Sequence, residues 1–203
     1  MSHMPPPTAA ARTADDPRRR RLLEAALGVF GRHGFRKASM EEVARAADVS
    51  RQGLYLHFAT KEDLFRATVE HALRAALDEA AVHLGDASLR LEGKLVGAFD
   101  GWVGRWVGVI GAGASDLVEA SKTLVGPLVA EREERFLEAV TKAVRASGLV
   151  AAYRPAGLSA RQLVDTLHAT ARGLKHGCAT RAEFVAGFTI AVRAMCAALR
   201  EAP

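Results

Sequence analysis

The segment that decides the fold is residues 39–58, SMEEVARAADVSRQGLYLHF. Its apolar residues recur at helical spacing on both sides of a short break at residues 46–49, and Ser50 is a good N-cap for a second helix over residues 50–57. We expect the following side chains to face inward: Met40, Val43, Ala44, Ala47, Val49, Leu54 and Phe58. This pattern predicts a helix-turn-helix, the motif that places its second helix in the major groove of DNA, although a generic corner between two helices has the same spacing.

The rest of the chain also has helical patterning, and it lacks sustained two-residue alternation. Capping boxes begin helices at Ser39, Ser159 and Thr180, with a near relative at Thr60, and Pro127 fits the first turn of another helix. Glycines 34, 85, 148 and 177 are predicted helix stops. The expected helices cover residues 18–32, 39–46, 50–57, 61–84, 88–110, 115–122, 127–147, 159–176 and 181–200.

The positive charge of the chain is concentrated in its first third. Residues 1–61 contain 11 Lys and Arg against 6 Asp and Glu, whereas residues 62–203 contain 17 of each. A basic module joined to a neutral body is typical of nucleic-acid-binding proteins, but the run Arg18–Arg21 is also typical of a solvated basic tail. We predict a disordered tail with a tag scar over residues 1–17, a DNA-binding domain over 18–65 and a helical bundle over 66–203.

Several protein classes do not fit this composition. Two cysteines, Cys178 and Cys196, are too few for a disulfide framework or a thiolate zinc cluster. The chain has no apolar run long enough to cross a bilayer and no secretory signal pattern, so we expect a cytoplasmic protein with no membrane partner. It also lacks the common hydrolase, zinc and phosphate-loop motifs, so we expect no catalytic residues, metal or cofactor; an unrecognised enzymatic activity in the C-terminal bundle is the alternative.

A longer ordered set of residues surrounds the helix-turn-helix. The set comprises Leu23, Ala26 and Phe30; His33, Gly34 and Phe35; Ser39, Glu42, Val43 and Ala44; Ala47, Val49 and Ser50; Leu54, Tyr55, His57 and Phe58; and Lys61, Glu62, Leu64 and Phe65. With these residues in this order, residues 18–65 resemble the DNA-binding domain of the TetR family of transcriptional regulators. The resemblance covers about a quarter of the chain; the remainder is similar to the family only in its helical layout.

The resemblance implies DNA-contacting roles for eleven residues. Arg51 and Gln52 would read base edges, because Arg pairs with guanine and Gln with adenine in the major groove. The remaining residues would contact or approach the backbone, namely Arg36, Lys37, Ser39, Ser50, Gly53, Tyr55, His57, Thr60 and Lys61. Gly53 departs from the family's usual small hydroxyl or alanine, so either a contact is absent or the backbone approaches DNA more closely. Alternatives are a half-buried core position for Tyr55 and a helix-capping role for His57.

For the C-terminal bundle, the resemblance implies an effector cavity. The candidate lining residues are Phe99, Trp102, Trp106, Phe136, His168 and Arg172. Ordinary core packing is the alternative for the aromatic residues. The many glycines of residues 97–113 indicate either a close approach of helices or an open cavity.

The last two helices carry apolar stripes that suit a two-fold four-helix interface, the dimerisation mode of the family. The stripe residues are Leu163, Leu167, Leu174, Phe184, Phe188, Val192 and Met195, with burial inside one protomer as the alternative. The combined expectation is a homodimeric repressor that binds a palindromic operator in double-stranded DNA and is released by a small-molecule effector. The alternative is a DNA-binding protein of the same fold that responds to no ligand.

Overall fold

The computed structural model describes residues 16–109 and 114–201. Every regular element within these two ranges is helical, which confirms the all-α prediction. In chain order the α-helices are α1 (Pro17–Lys37), α2 (Met40–Ala46), α3 (Arg51–Tyr55), α4 (Lys61–Gly85), α5 (Leu91–Trp102), α6 (Ala114–Ala146), α7 (Leu149–Ala152), α8 (Ala160–Gly177), α9 (Arg181–Cys196) and α10 (Ala198–Glu201). Short 3₁₀ helices cover Gly104–Trp106 and Arg154–Ala156. Residues 1–15 of the predicted tail lie outside the described residues.

The helix starts follow the predicted caps. Ser39, Ser159 and Thr180 each accept a hydrogen bond from the third backbone amide of their helix, while the side chain at that third position accepts from the backbone of the cap. Thr60 Oγ1 accepts from the Asp63 amide at 3.0 Å. Gly34 and Gly148 have positive φ values of 78° and 82°, which agrees with their predicted role as helix stops.

Three of the predicted helices have the wrong extent. The helices expected over 115–122 and 127–147 form one continuous helix, α6, which contains Pro127 in its interior. Proline removes one backbone hydrogen bond, and the many helix-forming residues on either side outweigh that local loss. The helix expected over 88–110 ends at Trp102 and tightens into a 3₁₀ turn at Gly104–Trp106.

The described residues form two compact units. The first contains residues 16–72 and 114–125, and the second contains residues 73–109 and 126–201. Helices α4 and α6 each contribute residues to both units. The inclusion of 114–125 in the first unit differs from the sequence-based division at residue 65, because a segment distant in sequence contributes to the packing of the N-terminal unit.

The core of the first unit brings α1 to α4 together. Its largest fully buried side chains are Leu22, Leu23, Leu54 and Leu64. Phe65 meets Phe30 and Phe35 edge-on, with ring centroids 5.1 and 5.0 Å apart. Such aromatic pairs stabilise a core beyond the area that they bury.

In the second unit, glycines of α5 and of the 3₁₀ helix that follows it allow close helix packing. A Cβ at Gly97 would lie 2.5 Å from the His83 imidazole of α4, and one at Gly101 would lie 3.0 Å from the Glu79 side chain. At Gly104, a Cβ would contact the Asp100 carboxylate and lie 2.8 Å from the ring of Phe184. Of the two alternatives from sequence, these three positions therefore fit close approach rather than an open cavity.

We predict that Gly104→Ala lowers the free energy of unfolding by about 1–3 kcal/mol, the usual cost of forcing extra volume into a packed core. Neither neighbour can move easily, because Phe184 is fully buried and Asp100 accepts hydrogen bonds from Arg181 at 2.7 and 2.9 Å. Chemical denaturation measures the change. The control is Gly28→Ala in α1, which meets open space and should gain about 0.5–1 kcal/mol. An unchanged or raised stability of Gly104→Ala would contradict the close packing.

Candidate nucleic-acid interface

The turn between α2 and α3 depends on one left-handed residue. Asp48 has φ of 54°, its amide donates to the Arg45 carbonyl at 3.2 Å, and the Val49 amide donates to the Ala44 carbonyl at 3.0 Å. Aspartate tolerates this conformation better than most residues with a side chain. The turn stops α2 and starts α3 within a few residues, as the helix-turn-helix prediction requires.

The inward-facing residues of the motif are mostly those predicted. Met40, Val43, Ala44, Leu54 and Phe58 are buried. Val49 is 40% exposed, so its predicted burial is wrong, and Ala47 is only half-buried. The left-handed residue at position 48 breaks the helical phase, so the periodicity of α2 does not continue through the turn.

Helix α3 presents its first turn to solvent. Ser50 Oγ accepts from the Gly53 amide at 3.0 Å and caps the helix, while Arg51 and Gln52 are exposed. The Arg51 guanidinium lies 5.7 Å from the centroid of the Tyr55 ring, which is also exposed. A Cβ at Gly53 would lie 3.2 Å from Ser50 Oγ. Glycine at this position therefore leaves room for the cap.

Past the first turn of α3, the exposed residues before α4 are Tyr55, Leu56, His57, Ala59 and Thr60. Tyr55 is therefore not the half-buried core aromatic that the sequence left open. Leu56 is 82% exposed, and sequence reasoning did not single it out because leucine at helical spacing usually indicates core. The position of Leu56 in the helical repeat could have indicated its exposure. Leu56 lies two residues after the buried Leu54 and therefore on the opposite side of the helix.

Lys61 links α4 to the junction between α1 and α2. Its ammonium group donates to the carbonyls of Arg36 at 3.3 Å and Ala38 at 3.2 Å, and it lies 4.6 Å from the centroid of the Phe35 ring. These contacts hold the segment that leads into α2. Lys61 therefore has structural partners in addition to any phosphate that it contacts.

Arg36 is paired with a residue that sequence reasoning missed. Its amide donates to Asp116 Oδ2 at 2.7 Å, and its Nε lies 3.2 Å from Asp116 Oδ1. The amide is available because Gly34 interrupts α1 and leaves the next turn without an intrahelical acceptor. Asp116 is 80 residues away in sequence, and no local pattern connects the two. The neighbouring Lys37 is exposed.

Ser39 is fully occupied by its own capping box. Its hydroxyl accepts from the Glu42 amide at 3.2 Å and donates to the Glu42 carboxylate at 2.9 Å. Its backbone amide also donates to that carboxylate at 2.9 Å. These hydrogen bonds from Ser39 lower the pKa of Glu42, so the carboxylate is charged and a phosphate at Ser39 would have to displace it.

The predicted cavity residues of the second unit divide into a buried group and an outer pair. Phe99 meets Phe136 edge-on at 5.0 Å, and Trp102 stacks on Phe136 at 4.9 Å. His168 lies 6.5 Å from Phe99 between ring centroids and is buried with them. By contrast, Trp106 is half-buried and donates its indole N–H to the Trp102 carbonyl at 3.0 Å, and Arg172 is exposed.

The buried imidazole has a carboxylate partner. His168 Nε2 lies 3.0 Å from Glu133 Oε1, and this hydrogen bond lowers the pKa of Glu133. Glu133 belongs to α6 and His168 to α8, so the pair joins two helices of the bundle. Sequence reasoning named His168 but not Glu133, because the two residues are related only by tertiary packing.

The structure corrects the predicted dimer interface. Leu163, Leu167, Phe184, Phe188 and Val192 are buried within the single chain, so they cannot form the surface that meets a second copy. Leu174 and Met195 are half-buried and pack against the same core. An amphipathic stripe shows which helix face is buried but not which chain buries it. The exposed faces of α8 and α9 carry other residues, among them Ile190, which is 69% exposed.

Residues 16–109 and 114–201 contain no group of three or more His, Cys, Asp or Glu side chains placed to hold a metal ion. The expectation of no metal and no cofactor stays a prediction. None of the helices in these ranges combines the length and apolar character needed to span a bilayer.

Part of the first unit matches a known protein family. The family model for bacterial regulatory proteins of the tetR family matches residues 22–68. The uncharacterized HTH-type transcriptional regulator YfiR of Bacillus subtilis (strain 168) is 40% identical over 65 residues, which are 30% of this chain and 32% of that protein. The chain therefore spans about a third of the length of this curated relative.

Solved structures resemble nearly the whole chain. A TetR-like transcriptional regulator from Rhodococcus sp. RHA1 is 25% identical with a TM-score of 0.57, and the match covers 90% of this chain and 94% of that one. The fatty acid degradation regulator FadR from Bacillus halodurans has a TM-score of 0.67 at 17% identity, with 92% and 98% covered, and this likeness shows the fold alone. Together with the helix-turn-helix geometry, these findings show that residues 22–68 belong to the tetR family of bacterial regulatory proteins and that nearly the whole chain has the fold of a TetR-like transcriptional regulator.

Proposed function

We propose that the protein is a homodimeric repressor that binds a palindromic operator through its two α3 helices and releases it when a small molecule binds the second unit. The observation that carries the proposal is the exposed first turn of α3, where the side chains of Arg51 and Gln52 are exposed and Leu54 is buried. Arg and Gln are suited to bidentate hydrogen bonds with guanine and adenine edges.

The residues proposed to contact the DNA backbone differ in whether they already have hydrogen-bond partners within the protein. Lys37, Tyr55 and His57 are exposed and suited to phosphate contacts, and the Arg36 side chain is 80% exposed despite its pairing with Asp116. Thr60 is also exposed; its Oγ1 accepts from the Asp63 amide, and its hydroxyl proton can still be donated to a phosphate. Ser50 and Gly53 form the capped start of α3, where the Gly53 amide donates to Ser50 Oγ and the positive end of the helix dipole favours an anion. Ser39 and Lys61 are proposed chiefly as positioning residues, because the hydrogen bonds described above already engage them.

A dimer is proposed through the outward faces of α8 and α9. Thr166, Ala169 and Gly173 are exposed on α8, and Ala186, Ile190 and Ala194 are exposed on α9. Small side chains allow two helix pairs to approach closely about a two-fold axis, and an exposed isoleucine at their centre favours burial by a partner. A two-fold dimer matches a palindrome whose half-sites lie about 34–36 Å apart.

The effector is proposed to enter the buried group of Phe99, Trp102, Phe136 and His168. These rings offer an apolar surface, and the His168–Glu133 pair offers a hydrogen-bonding group beside it. Trp106 and Arg172 lie further out and would contact only the outer part of such a ligand. A ligand that favours a state with wrongly spaced α3 helices must weaken DNA binding by the same coupling free energy. A DNA-binding protein that answers no ligand is the alternative, and a screen for ligand-dependent operator affinity distinguishes the two.

The proposed function is tested by selecting binding sites from random double-stranded DNA with the full chain. We expect an inverted repeat to be enriched, and we expect Arg51→Ala to weaken binding by about 1–3 kcal/mol and to relax preference at one base pair in each half-site. Arg135→Ala is the matched control, because it removes an exposed arginine of the second unit. If no sequence is enriched, the operator proposal fails. If Arg51→Ala selects the unchanged site, Arg51 does not read bases.

A second prediction distinguishes a positioning role of Lys61 from a role in phosphate binding. Lys61→Ala should lower the free energy of unfolding by about 1–2 kcal/mol, because two backbone carbonyls lose a charged donor, and it should weaken binding to all sequences. Lys37→Ala should leave stability unchanged and reduce the salt dependence of binding by about 0.9 per half-site, the value for one phosphate contact. Denaturation and salt titration measure these effects. A stable Lys61→Ala variant with a reduced salt slope would instead assign Lys61 to phosphate.

The third prediction concerns the dimer. Ile190→Asp should give a folded monomer that loses binding to the full palindrome, because two copies would bring unpaired carboxylates into one apolar surface. Sedimentation and circular dichroism measure association and folding. Phe188→Asp is the contrasting variant: Phe188 is fully buried, so it should unfold the second unit. A dimeric Ile190→Asp variant with full operator affinity would remove this face of α9 from the interface.

A further inference from the structure

Leu56 is an exposed leucine in the middle of the proposed DNA-contacting surface. At 82% exposure it is the most exposed large hydrophobic residue in the parts of the chain that the structure describes. Its neighbours Tyr55 and His57 are exposed and can hydrogen-bond, whereas leucine cannot. An exposed leucine stabilises a complex only when its apolar surface is buried against another apolar group.

The direction of the side chain follows from the helix geometry. The Leu56 amide donates to the Gln52 carbonyl at 3.1 Å, and Leu56 retains helical backbone angles of −66° and −24°. At about 100° per residue, Gln52 and Leu56 both point within about 20° of the direction opposite the buried Leu54. Leu56 therefore lies on the same face of α3 as Gln52, the proposed base-reading residue, and this face points away from the core.

An apolar side chain on this face of α3 would meet a limited set of groups in the major groove. Base edges there present hydrogen-bond donors and acceptors, and thymine adds a C5 methyl group. Covering a donor or acceptor with leucine would desolvate it without compensation, whereas covering a methyl group buries apolar surface from both sides. By this contrast, an apolar side chain in the major groove favours thymine over the other bases.

We propose that Leu56 is a specificity-determining residue that packs on the C5 methyl group of a thymine in each operator half-site. The proposal rests on the proposed operator binding by α3. It adds a requirement that Arg51 and Gln52 do not supply, since neither recognises a methyl group.

The test uses the operator recovered by selection with the full chain. Each thymine is replaced in turn by deoxyuridine in both half-sites, which removes the C5 methyl group and leaves every hydrogen-bonding group in place. For the wild-type protein, one position should lose about fourfold in affinity per half-site, as the loss of one buried methyl group implies. Leu56→Ala should bind the thymine and deoxyuridine operators at that position equally.

The matched control is Val118→Ala, which trims another exposed apolar residue of the first unit and should retain the wild-type discrimination. Circular dichroism of Leu56→Ala should match the wild type, because the residue contributes nothing to the core. A selected half-site without thymine, wild-type indifference to every deoxyuridine, or discrimination that survives Leu56→Ala would overturn the proposal while operator binding stands. If selection enriches no sequence, operator binding itself fails and this contact fails with it.

Discussion

The burial of Leu54 and Phe58 is the constraint on which the proposed DNA-contacting surface depends. Helix α3 has only five residues, too few to be stable by its own hydrogen bonds. It forms because Leu54 is completely buried and Phe58 nearly so, and burial of each such side chain contributes about 1.5–3 kcal/mol. With one face fixed, the opposite face must project Gln52 and Leu56, and the flanking faces carry Arg51 and Tyr55.

The excess of positive charge in residues 1–61 serves the structure of the first unit as well as its proposed DNA contacts. Arg19 lies 5.3 Å from the centroid of the Phe58 ring, Lys61 donates to two carbonyls, and Arg36 pairs with Asp116. Exposed ion pairs contribute about 0–1 kcal/mol, so the Arg36 guanidinium can exchange Asp116 for a phosphate at little cost. The Lys61 ammonium is less easily exchanged, because its departure leaves the carbonyls of Arg36 and Ala38 without this donor.

Features set by nearby residues could be predicted from the sequence, and those set by distant residues could not. The capping boxes at Ser39, Ser159 and Thr180 each depend on residues three apart, and all three are present. The partners Asp116 of Arg36 and Glu133 of His168 lie on distant helices, so no pattern in the sequence indicates them. Phe184 and Phe188 were correctly identified as one apolar stripe, but whether a stripe packs inside one chain or against a second copy depends on the tertiary arrangement.

The aromatic core of the second unit bears on how an effector would act. Phe99 has ring centroids of Phe136 and Phe188 at 5.0 and 4.7 Å, and Trp102 stacks on Phe136 at 4.9 Å. A small molecule that entered among these rings would have to separate them, so a ligand-bound core would differ from this packed arrangement. A ligand with different affinities for two core arrangements shifts the population between them. Helices α4 and α6 contribute residues to both units, so each is a continuous element through which such a shift would be coupled to the α3 surface.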